Sequence, residues 1–455
     1  MMEMLLLLVL ILTEIGFAAF AMSGKITRGE WAQRRLCVSA VELVTFLVMT
    51  LLPGIDFSFR FKGVLVILVL QLIISAIFWL IRRKKETAKG KPSIVIRTVL
   101  GILIISLAMI PAFIFTDYHG RPLSGEYSVA ETEAILIDSS RADEFENDGS
   151  YREVPVHFFY PESTDAIKAH SLPLVVFSHG AFGYYQSNMS AYMELASNGY
   201  VVIALDHPHH SFFTTDSAGK TVPVDMGFIQ SAIKIENNEY DAETTFDIMS
   251  KAMKLRLDDM NFVLDTIKSA VKAEPDGSWA FSSDGSRSDV GRALSLIDTE
   301  KIGLFGHSMG GATSVTAGRR SDVSAVIDLD GTMFGEVLGI EDGEEICSTE
   351  PYATPVLDVR NQNHQESCEE AYKLQKDYVN NVIMDNAADG HTTYFKGSGH
   401  MNFTDLPLIS PFIAKALGTG DVDPEVCIDQ VNTLVLRFFD HYLKGSGTFT
   451  VEESY

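Results

Sequence analysis

Four apolar runs crowd the front of the chain: Met4–Met22, Leu36–Leu52, Gly63–Ile81 and Thr98–Phe115. Each approaches the roughly 20 residues with which an α-helix crosses the hydrocarbon core of a bilayer. Backbone polar groups in lipid must be satisfied within the segment, so residues 1–116 read as an all-α region of four transmembrane helices. Basic residues mark the connections: Lys25, Arg28, Arg34 and Arg35 in the first, Arg60 and Lys62 in the second, and Arg82, Arg83, Lys84, Lys85, Lys89, Lys91 and Arg97 in the third. The first and third connections must share a side, and their excess of positive charge makes that side cytoplasmic. The expectation is a multi-pass cell-membrane protein whose residues 117–455 are extracytoplasmic. Ala19-Phe20-Ala21 has the spacing of a signal-peptide cleavage site, but Glu3, with no Lys or Arg, precedes the apolar run, so the first helix is read as retained. Glu14 and Glu42 fall inside the first two spans. With no basic residue in the spans to meet them, they are read as protonated or hydrogen-bonded within the bundle, and the region as an anchor.

Charge separates the two parts. Of the net −24, residues 1–97 contribute +7 and the remainder −31. So acidic a region repels phosphates, which excludes nucleic acid as a partner. Four cysteines are too few for a disulfide framework; a bridge between Cys347 and Cys368, which flank a polar stretch, is left open.

Beyond the apolar region the pattern changes to alternation. Val154–Tyr160, Leu172–Ser178, Tyr200–Leu205, Ile302–Phe305, Val323–Leu329 and Pro355–Val359 read as strands, several of them continuously apolar as in a sheet buried on both faces. Helices are expected at Ser190–Ser197, along the Phe246–Ile267 apolar stripe, at Met309–Gly318 and from Cys427 to Leu443. The fold class is therefore α/β over residues 117–455, a mostly parallel sheet flanked by helices, with reactive groups expected at the C-terminal ends of the strands.

One such end reads Gly306-His-Ser-Met-Gly310, between a strand and a helix. Two glycines allow a sharp turn that exposes the Ser308 hydroxyl, and the helix start aims backbone N–H groups at it. A serine nucleophile needs a base and the base an orienting acid, here in the chain order serine, acid, histidine. The next strand supplies Asp328 and Asp330; Asp330, at its end against Gly331, is the better placed. Of His364, His391, His400 and His441, His400 is chosen because Gly397-Ser-Gly399 gives it a loop able to bring the imidazole over the sheet edge. Met309 and Ala181, the latter in Ser178-His-Gly-Ala-Phe-Gly183, are the candidate oxyanion N–H donors. Phe182, His209 and His210 are candidate substrate contacts. The cluster Asp206-His-Pro-His-His210 invites a metal reading, but its proline and loop setting disfavour a preorganised ligand set. A serine triad needs no metal or cofactor, and none is expected. Asn188-Met-Ser and Asn402-Phe-Thr fit the glycosylation pattern; the second adjoins His400 and is discounted.

Three stretches together, Leu174-Val-Val-Phe-Ser-His-Gly180, Gly306-His-Ser-Met-Gly-Gly-Ala-Thr313 and Gly397-Ser-Gly-His-Met-Asn-Phe-Thr-Asp405, resemble the platelet-activating-factor acetylhydrolase family, α/β-hydrolases related to dienelactone hydrolases and cutinase-like esterases. Asp330-Gly-Thr-Met-Phe334 is similar to the family's acid segment. The resemblance runs from about Val154 to Gly445 and implies Ser308 as nucleophile, Asp330 as acid, His400 as base, and Ala181 and Met309 as oxyanion donors. Ala181 and Met309 replace bulkier residues of the animal enzymes, and the four spans are an addition. The expected activity is hydrolysis of short-acyl or lipid esters such as platelet-activating-factor-like phospholipids. The alternatives are a polyester hydrolase, amidase or acyltransferase on the same triad, or a membrane sensor with an unreactive domain.

Overall fold

Capping decides where the second helix of the chain begins. Thr27 accepts the Glu30 N–H at 3.2 Å while Glu30 Oε2 accepts the Thr27 N–H at 2.9 Å, a reciprocal capping box that satisfies two otherwise orphaned donors. In the computed structural model, which describes residues 2–51, 55, 57–163, 167–274, 277 and 287–455, the chain divides into two units. One is Met1–His119 with Leu408–Ile413; the other is Gly120–Pro407 with Ala414–Tyr455.

The first unit holds α1 (Met2–Met22), α2 (Arg28–Met49), α3 (Phe59–Arg82) and α4 (Lys91–Ile114). Three of them, α1, α3 and α4, are long and apolar enough to cross a membrane. The second expected span, α2, is not among these three, and its start is corrected. The capping box starts α2 upstream of Leu36 and draws Arg28, Glu30, Arg34 and Arg35 into the helix; its expected end at Leu52 lies outside the described residues. A second correction follows. Arg35 is not in a connection: it is buried inside the unit, with Nη1 and Nη2 both 2.6 Å from Glu14 carboxylate oxygens and Nη2 3.7 Å from Glu42. The carboxylates therefore do have a basic partner. Gln71 of α3 accepts from Arg35 at 3.3 Å, and Ser39 and Ser75 lie 3.1 Å apart, so α1, α2 and α3 all contribute to one polar seam. Arg28 and Gly29 N–H groups donate to Thr87 and Lys85, and Lys89 N–H to Ile26, each at 2.9 Å. The α1–α2 and α3–α4 connections thus meet at one end. Near the end of α4, Thr116 N–H donates to Ile409 at 2.9 Å and Ser410 Oγ to Ile114 at 2.8 Å.

The second unit is built on an eight-stranded sheet, numbered here β1 (Val129–Ala142), β2 (Tyr151–Pro161), β3 (Leu172–Ser178), β4 (Val201–Leu205), β5 (Ile297–His307), β6 (Ala325–Leu329), β7 (Val356–Arg360) and β8 (Gly390–Tyr394). Their order is β1-β2-β4-β3-β5-β6-β7-β8, with β2 antiparallel to both neighbours and the rest parallel. Successive strand residues face opposite sides, and both sides are buried. Leu174, Val176, Ile203 and Leu304 enter one core with Met260, Val263, Leu264 and Ile267 of the long helix Ala242–Ala273. Val175, Phe177, Val202 and Phe305 enter the other with Tyr192 of α5 (Met189–Ser197) and Val431, Val435 and Phe438 of the C-terminal helix Pro424–Lys444. Continuous apolar strands are what such two-sided burial requires.

Cys347 and Cys368 are buried free thiols, so the open pairing resolves to no bridge. Asn188 and Asn402 are both buried, Asn188 donating to Phe403 O at 2.6 Å and Asn402 accepting from Gly399 and Gly420. Neither is placed to accept a glycan, which corrects the reading of the first and agrees with the discounting of the second.

Candidate active site

Ser308 stands between β5 and α9, the helix Met309–Ala317, with φ 57° and ψ −126°. (Among the described residues, the helices before it in the second unit, from α5 on, are α6, Met226–Glu236; α7, Ala242–Ala273; and α8, Arg287–Leu296.) Positive φ at a residue with a Cβ costs about 1–3 kcal/mol and persists only where the surroundings impose it. Here Ser308 N–H donates to Leu329 O at 2.8 Å, and the helix meets the strand ends backbone to backbone. A Cβ on Gly310 would lie 2.0 Å from Ser178 O, and one on Gly306 2.2 Å from the Gly310 carbonyl carbon. Both glycines are therefore needed for space.

Asp330 follows β6 and also has positive φ, 60°. Its Oδ2 lies 2.6 Å from His400 Nδ1 and accepts from Asn361 Nδ2 at 2.5 Å; its Oδ1 accepts from Asn361 N–H at 2.8 Å and lies 3.1 Å from His364 Nδ1. Burial opposes the charge on Asp330, but hydrogen bonds from His364 and His400 outweigh it and hold the carboxyl below its ordinary range. For His364, burial is likewise outweighed, chiefly by the bond to Asp330, and its imidazolium is pushed up to about 11. Asp328 is fully buried beside Asp358; burial, then that neighbour, drives its pKa well above the carboxylate range, and its Oδ1 accepts the Gly331 N–H at 2.9 Å.

His400 opens a short 3-10 turn, His400–Phe403, after the loop leaving β8. His307, beside Ser308, places its ring 4.5 Å from that of His400 and its Nε2 3.0 Å from His400 O. Burial, then the neighbouring His400, lowers His307 to about 3, so it is neutral and donates through Nε2. The element carrying His400 is thereby tied to the serine turn. Among the described residues no hydrogen bond joins Ser308 Oγ to His400; such contacts often tighten only with substrate bound.

The β3 loop lies directly against the serine: a Cβ on Gly180 would be 3.2 Å from Ser308 Cβ. Among the described residues, neither Ala181 nor Met309 donates its N–H to a backbone carbonyl. Phe182 has φ 62° and donates its N–H to His210 O at 3.1 Å. Its ring sits 5.0 Å from Phe228, against which His210 stacks at 3.9 Å. His209 turns instead to Phe145, at 4.3 Å. Phe182 and His210 share the Phe228 ring, and His210 also lies edge-on to Phe145, so His209 and His210 meet at that ring. His207 is committed to the protein, with Nδ1 3.0 Å from Asp259 and Nε2 2.9 Å from Ser178 Oγ.

Residues 158–452 match the family model described as platelet-activating factor acetylhydrolase, isoform II. The chain belongs to that family. Relatives include the platelet-activating factor acetylhydrolases of Cavia porcellus, 27% identical over 275 residues, and Bos taurus, 26% over 287, each alignment covering 60% of this chain. The chain spans 57% of the length of these relatives. A solved ferulic acid esterase from Streptomyces cinnamoneus superposes with TM-score 0.50 at 21% identity, covering 72% of this chain and 94% of its own. That likeness establishes an α/β-hydrolase fold for the family domain.

Several residues around the site escaped the sequence reading. Asn361 caps the helix α10 (Gln362–Leu374), bonding the His364 N–H at 2.8 Å, and uses its remaining groups on Asp330. Its capping position was legible; its second task was not. Arg256 and Asp259 lie on the buried face of α7, fully enclosed. Charged residues interrupting an apolar stripe were the available signal.

Proposed function

We propose that the chain is a membrane-anchored serine carboxylic-ester hydrolase acting on short-acyl or lipid esters. The observation that carries this reading is the 2.6 Å pairing of His400 Nδ1 with Asp330 on the same sheet edge as the strained Ser308 turn. Ser308 Oγ attacks the acyl carbon as His400 Nε2 takes its proton; Ala181 and Met309 N–H groups receive the developing oxyanion. Collapse expels the alcohol, which takes the proton back from His400, and leaves an acyl-serine. Water, deprotonated by His400, attacks that ester, and Ser308 recovers its proton as the acid leaves. Asp330 holds His400 in the tautomer that keeps Nε2 free. The family and the apolar helices of the first unit favour acyl glycerophospholipids as substrate class. We place the domain on the extracytoplasmic side, on the basic character of the connection after α3.

Full-length protein and Ser308→Ala are compared on short-acyl phospholipid, aryl ester and anilide. Ester turnover should fall by at least about 10³-fold in the variant, with loss of fluorophosphonate labelling. An unlabelled wild-type protein would instead favour an unreactive sensor, and turnover confined to the anilide an amidase.

A further inference from the structure

Arg256 is 0% exposed in the middle of α7. A guanidinium out of water is costly unless its charge and donors are used. Its neighbour Asp259 is already engaged, with Arg152 at 2.8 Å, Arg141 at 2.9 Å and His207 at 3.0 Å. Arg256 spends its fork on two consecutive carbonyls of the β3 loop: Nη1 donates to His179 O at 2.5 Å and Nη2 to Gly180 O at 3.2 Å. His179 Nδ1, 2.6 Å away, and Gly183 N–H, 3.1 Å away, also donate to Gly180 O.

A trans peptide points its C=O and N–H in opposite directions. The Gly180 carbonyl shares its peptide plane with the Ala181 N–H, and the His179 carbonyl shares its plane with the Gly180 N–H. Anchoring both oxygens toward α7 fixes the direction of both N–H groups. Gly180 itself abuts Ser308 and His307, where a Cβ would fall 3.2 Å from one and 2.9 Å from the other. A cation on the oxygen end also polarises the amide and strengthens the donor at its far end. A neutral donor would satisfy the carbonyls without that effect.

We propose that Arg256 is a positioning residue for the oxyanion site, orienting and polarising the His179–Gly180–Ala181 peptides from behind. The inference rests on the serine-hydrolase reading above. It is tested with Arg256→Met and Arg256→Lys in the full chain, on aryl acetate. Loss of one oxyanion donor costs about 10²–10³-fold in kcat; with His179 and Gly183 still on Gly180 O, Arg256→Met should lose on the order of 10- to 100-fold. KM should stay within about threefold, because the interaction is made in the transition state. Lysine should restore part of kcat. The second readout is the ratio of affinities for a trifluoromethyl ketone, whose adduct carries an oxyanion, and the matching methyl ketone; it should fall in parallel with kcat. Wild-type kcat and ketone ratio in a folded variant overturn the proposal. So does a loss of kcat with an unchanged ketone ratio, which marks a structural role only. If Arg256→Met does not fold, Arg256→Lys is judged by the same two quantities. Ser308→Ala separates the two readings: if it still hydrolyses the ester, the hydrolase reading itself fails, whereas an inactive Ser308→Ala beside an unimpaired Arg256 variant removes only this inference.

Discussion

Asp330 is contacted by two imidazoles and by both donors of Asn361, and this sets a pH signature for the fold. His364 has its folded pKa raised to about 11, against about 6.5 in an unfolded chain. Its contribution is therefore complete below about pH 6.5 and is lost as pH rises toward the folded value. Asp330 is depressed, so its contribution is present above about pH 4, the unfolded value, and is lost as pH falls to the folded one. Both act together between those limits. The thermal-midpoint deficit of His364→Gln relative to wild type should be greatest from about pH 4 to 6.5 and narrow toward alkaline pH; a deficit constant across a pH series of melts would refute the ion pair. Ser308, Asp330 and His400 could be put forward as candidates from the sequence because chain order and glycine context distinguish them, and the structure pairs Asp330 with His400. His364 could not, because it lies in a helix whose placement beside Asp330 depends on β7 pairing with β6.

At the scale of elements, the β5–turn–α9 unit depends on van der Waals space that the Gly-x-Ser-x-Gly pattern states directly. Gly310→Ala places a methyl 2.0 Å from Ser178 O, backbone that cannot step aside. We expect a loss of about 3 kcal/mol or more in urea unfolding, while Gly339→Ala, whose methyl meets only Ile346 Cδ1 at 3.9 Å, stays within about 0.5 kcal/mol. Equal losses at the two positions would show that the close approach is not limiting. The start of α2 was also legible, as Thr27-x-x-Glu30, but the hydropathy of the run from Leu36 masked it. A window that scores only apolar content ends a helix where charge begins; hydrogen bonding does not. Once α2 is extended, Arg35 enters the polar seam and neutralises Glu14, at a cost in desolvation that only buried partners offset.

For the whole molecule, topology is the property the basic connections were used to predict. The meeting of the α1–α2 and α3–α4 connections at one end of the first unit supports four antiparallel helices, with the ionic seam of α2 turned inward. In a Cys37→Ser background, Asp117→Cys should be labelled by a membrane-impermeant maleimide on intact cells, and Glu86→Cys only after permeabilisation. The reverse pattern would sink the proposed orientation.

Alternating apolar strands and helices were enough to give the α/β class, since two-sided burial imposes continuous apolar strands whatever the topology. The glycine-flanked serine likewise announced its own turn, because steric limits on a Cβ are local. Tertiary structure alone decided which imidazoles share Asp330, that Arg35 meets Glu14, and that Arg256 reaches the carbonyls behind Ala181. Those contacts join residues far apart in the chain, and their energy depends on burial that no single stretch of sequence contains.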